Sequence, residues 1–198
     1  MISHKHKAIF VHVPKTAGSS MRVFFRKRGF GSVEYHAPDG SNDDTTGVYV
    51  NGTSWRIKRN LENEWDRYFK FAFIRNPWDR MVSCWKNRAI KYEDFGKFLK
   101  DYPYPRSNHN LIWHTLPQLN HMTDLDGNNM MNYVGKFENL DQDLNTICKK
   151  LGIEYSPLPH INKSKHKPYW EYYTNEQRFF VETIYEKEIK LYNYEFGK

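Results

Sequence analysis

Apolar positions along the chain fall into two kinds of stretch, short unbroken runs and longer segments with 3.6-residue spacing, and the two alternate. Ile9, Phe10, Val11, His12 and Val13 form the first run, and such a block of β-branched and aromatic residues predicts a buried strand. Met21, Phe24 and Phe25 follow at helical spacing. The run FKFAFI at 69–74 predicts a second strand, and Tyr133 to Phe137 a third. From Pro77 onward Trp78, Met81, Val82, Trp85 and Ala89 share one helical face, which predicts the core side, with Ser83 pointing away from it. A helix is predicted from Leu140 to Leu151, closing at Gly152.

Capping chemistry sharpens these boundaries. Asn76 is placed as N-cap, Pro77 as the first helical residue and Asp79 in the first turn. The last helix begins at Thr174, which forms a capping box with Gln177, and carries Phe180, Val181, Ile184 and Tyr185 as its core stripe. Residues 36–54 read as a long polar loop with room for a small hairpin at Val48 to Val50, and residues 153–173 as a basic, aromatic loop. The order of elements predicts an α/β fold: a P-loop-like small parallel sheet flanked by helices. At 198 residues the chain is expected to be a single domain, 1–198.

Composition narrows the class. With 39% hydrophobic and 17% aromatic residues the chain can build a packed core. Lys and Arg outnumber Asp and Glu by 30 to 23, so anionic ligands are favoured: phosphate, sulfate, nucleic acid or acidic glycans. Cys84 and Cys148 both fall in predicted helices and read as reduced core thiols. The first hydrophobic run is a strand rather than a signal peptide, and no segment reaches the roughly 18 apolar residues of a membrane span, so a cytoplasmic chain without membrane attachment is expected. None of the nine histidines has metal-site spacing, and no metal is expected.

Two stretches carry candidate chemistry. In VPKTAGSS the bulky side chains stop after the strand, so backbone N–H groups are uncovered at a helix N-terminus and Lys15 adds a positive charge. The four-residue spacing of a Walker A loop is missing, which weakens a kinase or ATPase reading. In FAFIRNPWDRMVS, Arg75 ends a strand and Ser83 lies two helical turns further on. Ligands of open α/β sheets bind beyond the carboxyl ends of strands, where Lys15 and Arg75 are both expected, and two cations suit a ligand with two anionic groups. The structural alternative for Arg75 is an ion pair with Asp79 or Asp66.

Together these stretches resemble the phosphosulfate and 3'-phosphate motifs of sulfotransferases that use 3'-phosphoadenosine 5'-phosphosulfate (PAPS). The match is to the carbohydrate branch with the heparan and uronyl 2-O-sulfotransferases and chondroitin-type enzymes, and the tail PHINKSKHKPYWEYYT resembles the end of its bacterial members. The resemblance implies that Lys15, Thr16, Ala17, Gly18, Ser19 and Ser20 hold the 5'-phosphosulfate and Arg75 and Ser83 the 3'-phosphate. It implies further that Lys163 and Ser164 belong to a loop closing over the nucleotide. His36, after the first helix, takes the place of the catalytic histidine, with Asp39, Asp43 and Asp44 next in the same loop as alternative bases. The expected partner is a carbohydrate or other hydroxyl acceptor, met by the loops 36–54 and 101–125, with PAPS as donor and no nucleic acid. A nucleotide kinase and a non-enzymatic glycan- or nucleic-acid-binding module remain as alternatives; the aromatic, basic segment from His160 to Tyr173 suits either base stacking or a wall of the substrate cleft.

Overall fold

Three parallel strands and one antiparallel edge strand build the sheet: β1 (Ile2–Ser3), β2 (Ala8–Val11), β3 (Phe69–Ile74) and β4 (Tyr133–Lys136), lying side by side in that order. β2 runs parallel to β3 with Phe10 opposite Phe71, β3 parallel to β4 with Phe71 opposite Tyr133, and β1 antiparallel to β2 with Ile2 opposite Ile9. The expected parallel sheet is present. The short antiparallel edge is an addition, because two residues carry no periodic signal. The computed structural model describes residues 1–31, 53–89, 91–104, 108–159 and 167–198.

These residues divide into two compact units that interleave along the chain: Met1–Ile74 with Gln118–Ile161, and Arg75–Pro117 with Asn162–Lys198. The first unit contains the sheet, α1 (Gly18–Arg26), α2 (Ser54–Leu61), a 3-10 turn at Glu62–Arg67, α6 (Leu119–Met122) and α7 (Leu140–Leu151). All four residues of β2 are buried, as in a sheet covered on both faces. Its main core is phenylalanine-rich: Phe10, Phe71 and Phe73 from the sheet meet Met21, Phe24 and Phe25 of α1 and Leu144, Ile147 and Cys148 of α7. The Phe10 and Phe71 rings stack with centroids 5.5 Å apart, and Phe25 leans on Phe71 at 5.2 Å. Each such side chain contributes about 1.5–3 kcal/mol by leaving water, so this cluster fixes α1 against the sheet.

Asp143, in the first turn of α7, locks β4. Its carboxylate accepts from the Tyr133 hydroxyl at 2.8 Å and from the Lys136 N–H at 2.6 Å. α7 ends as the sequence predicts, with Gly152 in the left-handed region at φ 64°.

The second unit is helical: α3 (Pro77–Arg88), α4 (Phe95–Lys100), α5 (His109–Thr115), a 3-10 turn at Tyr169–Tyr172, α8 (Asn175–Ile184) and α9 (Glu186–Tyr192). The predicted capping box of α8 is present in both directions, Gln177 N–H to Thr174 Oγ1 and Thr174 N–H to Gln177 Oε1. Of its predicted stripe, Val181 and Tyr185 are buried and Phe180 and Ile184 half-buried. The segment 101–125, expected as loop, contains α5 and α6. Both cysteines are buried and neither is in a disulfide. The expected hairpin at Val48 to Val50 lies outside the described residues.

Candidate active site

The parallel pairing of β2 with β3 makes the chain leave both strands at the same edge of the sheet. Each exit turns straight into a helix, and the two turns are built differently.

After β2 the chain passes through His12, Val13 and Pro14 into a turn with two left-handed residues, Lys15 at φ 71° and Ala17 at φ 63°, ψ 22°. An L-residue in that region costs about 1–2 kcal/mol, and such strain persists where the surroundings over-determine it, commonly at ligand sites. Thr16 between them is fully buried, and its hydroxyl donates to the Val13 carbonyl at 2.8 Å, closing the turn on itself. The first ladder bond of α1 runs from Met21 N–H to Ala17 O at 3.0 Å. Residues 18–20 therefore carry N–H groups with no acceptor within the helix. Ala17, as N-cap, supplies no side-chain acceptor, and the first turn holds no acidic residue. A turn with left-handed residues directly ahead of a helix N-terminus presents N–H groups in a way that suits an anion. Half-buried Lys15 brings its charge to the same turn.

His12 also belongs to this turn, since β2 ends at Val11 and not at Val13 as the apolar run predicts. Its side chain is buried, and a Cβ placed on Gly18 would lie 1.9 Å from His12 Nε2 and 2.3 Å from Cδ2. The imidazole thus rests against the Cα of the first residue of α1. The signal was present in the alternation: Phe10 and His12 point to the same side of the strand, and their rings lie 6.2 Å apart.

After β3 the exit is filled from within. Asn76 Oδ1 accepts from the N–H groups of Trp78 (3.1 Å) and Asp79 (3.4 Å), capping α3 as predicted, while Asn76 Nδ2 donates to the Tyr169 hydroxyl and the Glu195 carbonyl. Arg75 Nε donates to Asp79 Oδ2 at 2.7 Å, so the ion pair that the sequence left open is formed. Ser83 was expected to point away from the buried face, yet it is only 7% exposed. The reason is that α3 is packed on more than one side, against α4, α5, α8 and the 3-10 turn. Arg80, on the same helix, is wholly buried; its guanidinium donates to the carbonyls of His114 (3.0 Å) and Leu116 (2.7 Å) at the end of α5 and lies over the Tyr185 ring. The Tyr185 hydroxyl donates to the Thr115 carbonyl, and burial holds its pKa well above the usual phenol value.

Lys15, Thr16, Ala17, Gly18, Ser19 and Ser20 are thus brought into one turn of the first unit, and Arg75 and Ser83 belong to the second. His36, Lys163 and Ser164 lie outside the described residues, as do Asp39, Asp43 and Asp44. Among the described residues no three His, Cys, Asp or Glu side chains gather into a metal-binding group, and no helix is long and apolar enough to cross a membrane.

Comparison with known proteins finds sulfotransferases. Carbohydrate sulfotransferase 10 of Xenopus laevis is 22% identical over 241 aligned positions, covering 98% of this chain and 66% of its own length. Carbohydrate sulfotransferase 11 of Danio rerio is 25% identical over 77% of this chain and 52% of its own length. The chain therefore spans just under two thirds of the first relative and about half of the second. A crystal structure of a sulfotransferase from Alicyclobacillus acidocaldarius aligns with a TM-score of 0.48 at 15% identity, over 93% of this chain and 98% of that one. The sequence pattern of the sulfotransferase family (Sulfotransfer_2) matches residues 1–195, a span that takes in both turns, and the chain belongs to that family.

Proposed function

We propose that the chain is a single sulfotransferase domain, 1–198, that moves a sulfuryl group from PAPS to a hydroxyl of a carbohydrate acceptor. The observation that carries this reading is the strained turn at Lys15 and Ala17, opening onto a helix N-terminus with no side-chain cap. That turn suits the 5'-phosphosulfate: the N–H groups of residues 17–20 offer fixed dipoles, and Lys15 offsets charge growing on the bridging oxygen as the S–O bond to the nucleotide breaks. Thr16 contributes through its backbone, since its hydroxyl is bonded to Val13. Arg75, oriented by Asp79, takes the 3'-phosphate together with Ser83.

His36 is proposed as the base that accepts the proton of the attacking hydroxyl, and Lys163 and Ser164 as part of a loop over the nucleotide. A sulfuryl group carries less negative charge than a phosphoryl group, so side-chain cations serve here in place of Mg²⁺. The similarity to proteins named carbohydrate sulfotransferases favours a glycan acceptor.

The test is calorimetric titration with 3',5'-ADP, AMP, ATP and heparin, each with and without Mg²⁺. Tight, Mg²⁺-independent binding of 3',5'-ADP is expected, with Arg75→Ala weakening it toward the affinity for AMP. Preference for ATP with Mg²⁺ supports a kinase instead, and binding of heparin alone a non-enzymatic module. For the base, turnover is expected to fall on the acid side as the imidazole takes up a proton and can no longer accept one. His36→Ala is expected to lose about 10²-fold or more in rate with 3',5'-ADP affinity intact. Full activity of that variant returns the role to Asp39, Asp43 or Asp44.

A further inference from the structure

The contact between His12 and Gly18 joins two choices that stability alone disfavours. Position 12 continues the buried run Ile9 to Val11 and precedes buried Val13, where an apolar residue would fill the space without a polar ring to satisfy. Position 18 opens a helix with glycine, which orders at a greater entropic loss than alanine. Gly18 is absent from the positive-φ residues of the chain, so no left-handed backbone explains the choice. The steric map does: an alanine methyl would fall 1.9 Å from His12 Nε2, 2.3 Å from Cδ2 and 2.8 Å from Cε1, inside the ring itself. The missing side chain at 18 and the imidazole at 12 are one arrangement.

That arrangement bears on the residues whose backbone forms the anion cradle. Gly18 follows left-handed Ala17 and carries the first N–H group of α1. Behind the imidazole stands Phe10, itself stacked on Phe71, so the ring is backed by the packed core of the sheet. Thr16 closes the same turn through its hydrogen bond to the Val13 carbonyl. A displacement of the imidazole would let Gly18 move toward the strand and turn the N–H groups of residues 18–20 away from the cradle.

We infer that His12 is a positioning residue of the donor turn, whose imidazole, braced between Phe10 and the Cα of Gly18, sets the direction of the first N–H groups of α1. The inference rests on the donor-site reading above and adds to it a residue that touches neither the acceptor nor the transferred group. Its effect is read at donor binding: His12 variants are expected to raise the KM for PAPS.

The experiment is a double-mutant cycle on the full chain, read by melting temperature and by calorimetric affinity for 3',5'-ADP. His12→Ala is expected to weaken 3',5'-ADP at least tenfold. His12→Gln, which returns a planar polar group at the reach of Nε2, is expected to recover affinity to within about threefold of the parent. Gly18→Ala is expected to lower both melting temperature and affinity. Adding His12→Ala to it makes room for the methyl and is expected to restore the melting temperature but not the affinity. If affinity returns together with the melting temperature in the double variant, or if His12→Ala binds within twofold of the parent, the ring is a spacer and the inference is overturned. Where Gly18→Ala does not fold, the alanine and glutamine variants at 12 decide by themselves. Failure of the parent to bind 3',5'-ADP at all overturns the donor reading first and this inference with it, a result distinct from a parent that binds and a His12→Ala variant that binds equally.

Discussion

Two strand-to-helix turns of this protein share an architecture and differ in what neutralises their helix ends. The turn before α3 is complete: Asn76 caps the first N–H groups, Asp79 places a carboxylate against the positive end of the helix, and the same carboxylate holds Arg75. The turn before α1 has none of these, with Ala17 as N-cap, no acid in the first turn, and two L-residues in left-handed conformations. A helix N-terminus is equivalent to about half a positive charge. At α3 that charge is balanced by Asn76 and Asp79; the first turn of α1 holds neither a side-chain cap nor an acid. On the reading proposed above, the two similar-looking motifs would divide the work, the first binding through backbone and one lysine and the second through an arginine held by Asp79.

The largest test of that contrast is removal of the lysine. Lys15→Ala is expected to lose roughly 10²-fold or more in sulfuryl transfer, about 3 kcal/mol of electrostatic stabilisation, with an unchanged circular dichroism spectrum because the side chain belongs to a turn and not to the core. Transfer from labelled PAPS at the parent rate would remove Lys15 from the mechanism. Next in size is a substitution that makes α1 resemble α3. Ser19→Asp puts a carboxylate in the first turn, which should raise stability by about 0.3–1 kcal/mol and weaken 3',5'-ADP about tenfold through repulsion of the anion. A variant that gains stability and keeps its affinity would show that the N-terminus of α1 is not where the anion sits.

The converse substitution strips α3 of its cap. Asn76→Ala is expected to lower the free energy of unfolding in urea by about 1–2 kcal/mol, near the top of that range because Asn76 Nδ2 also bonds Tyr169 and Glu195. The smallest effect is expected at Ala17. Glycine there relieves the left-handed strain but adds freedom to the unfolded chain, so the net gain should be below about 1 kcal/mol. A fall in melting temperature in Ala17→Gly would mean that the turn is not strained at this residue.

What could be read from the sequence depended on how local its cause was. Asn76, Pro77 and Asp79 announce the start of α3 because a cap acts within one turn, and the same holds for Thr174 with Gln177 and for Gly152. The turn before α1 was legible as a run of small residues, but its two left-handed positions were not, because nothing in Lys or Ala asks for positive φ. Burial of polar residues on α3 was not legible either. Arg80 can be wholly enclosed because the carbonyls of His114 and Leu116 accept its N–H groups, and those acceptors belong to a helix more than thirty positions away. His12 was hidden for the opposite reason: one polar residue in an apolar run reads as strand, and its partner is recognisable only as the absence of a side chain at 18.

The placement of β4 has a consequence for how the chain reaches its native state. β3 finds its second parallel neighbour only after the whole of α3, α4, α5 and α6 has been traversed, since Phe71 pairs with Tyr133. Closing so long a loop costs entropy before any strand contact repays it, and topologies dominated by such pairings assemble slowly. On the ribosome, β2, α1 and β3 emerge well ahead of β4, and until β4 arrives Ala72 and Ile74, buried in the finished sheet, stand on an open parallel edge. Exposed edges of this kind are where nascent chains associate wrongly. Yield on expression should therefore respond more to the rate of synthesis and to temperature than to substitutions at the anion turn.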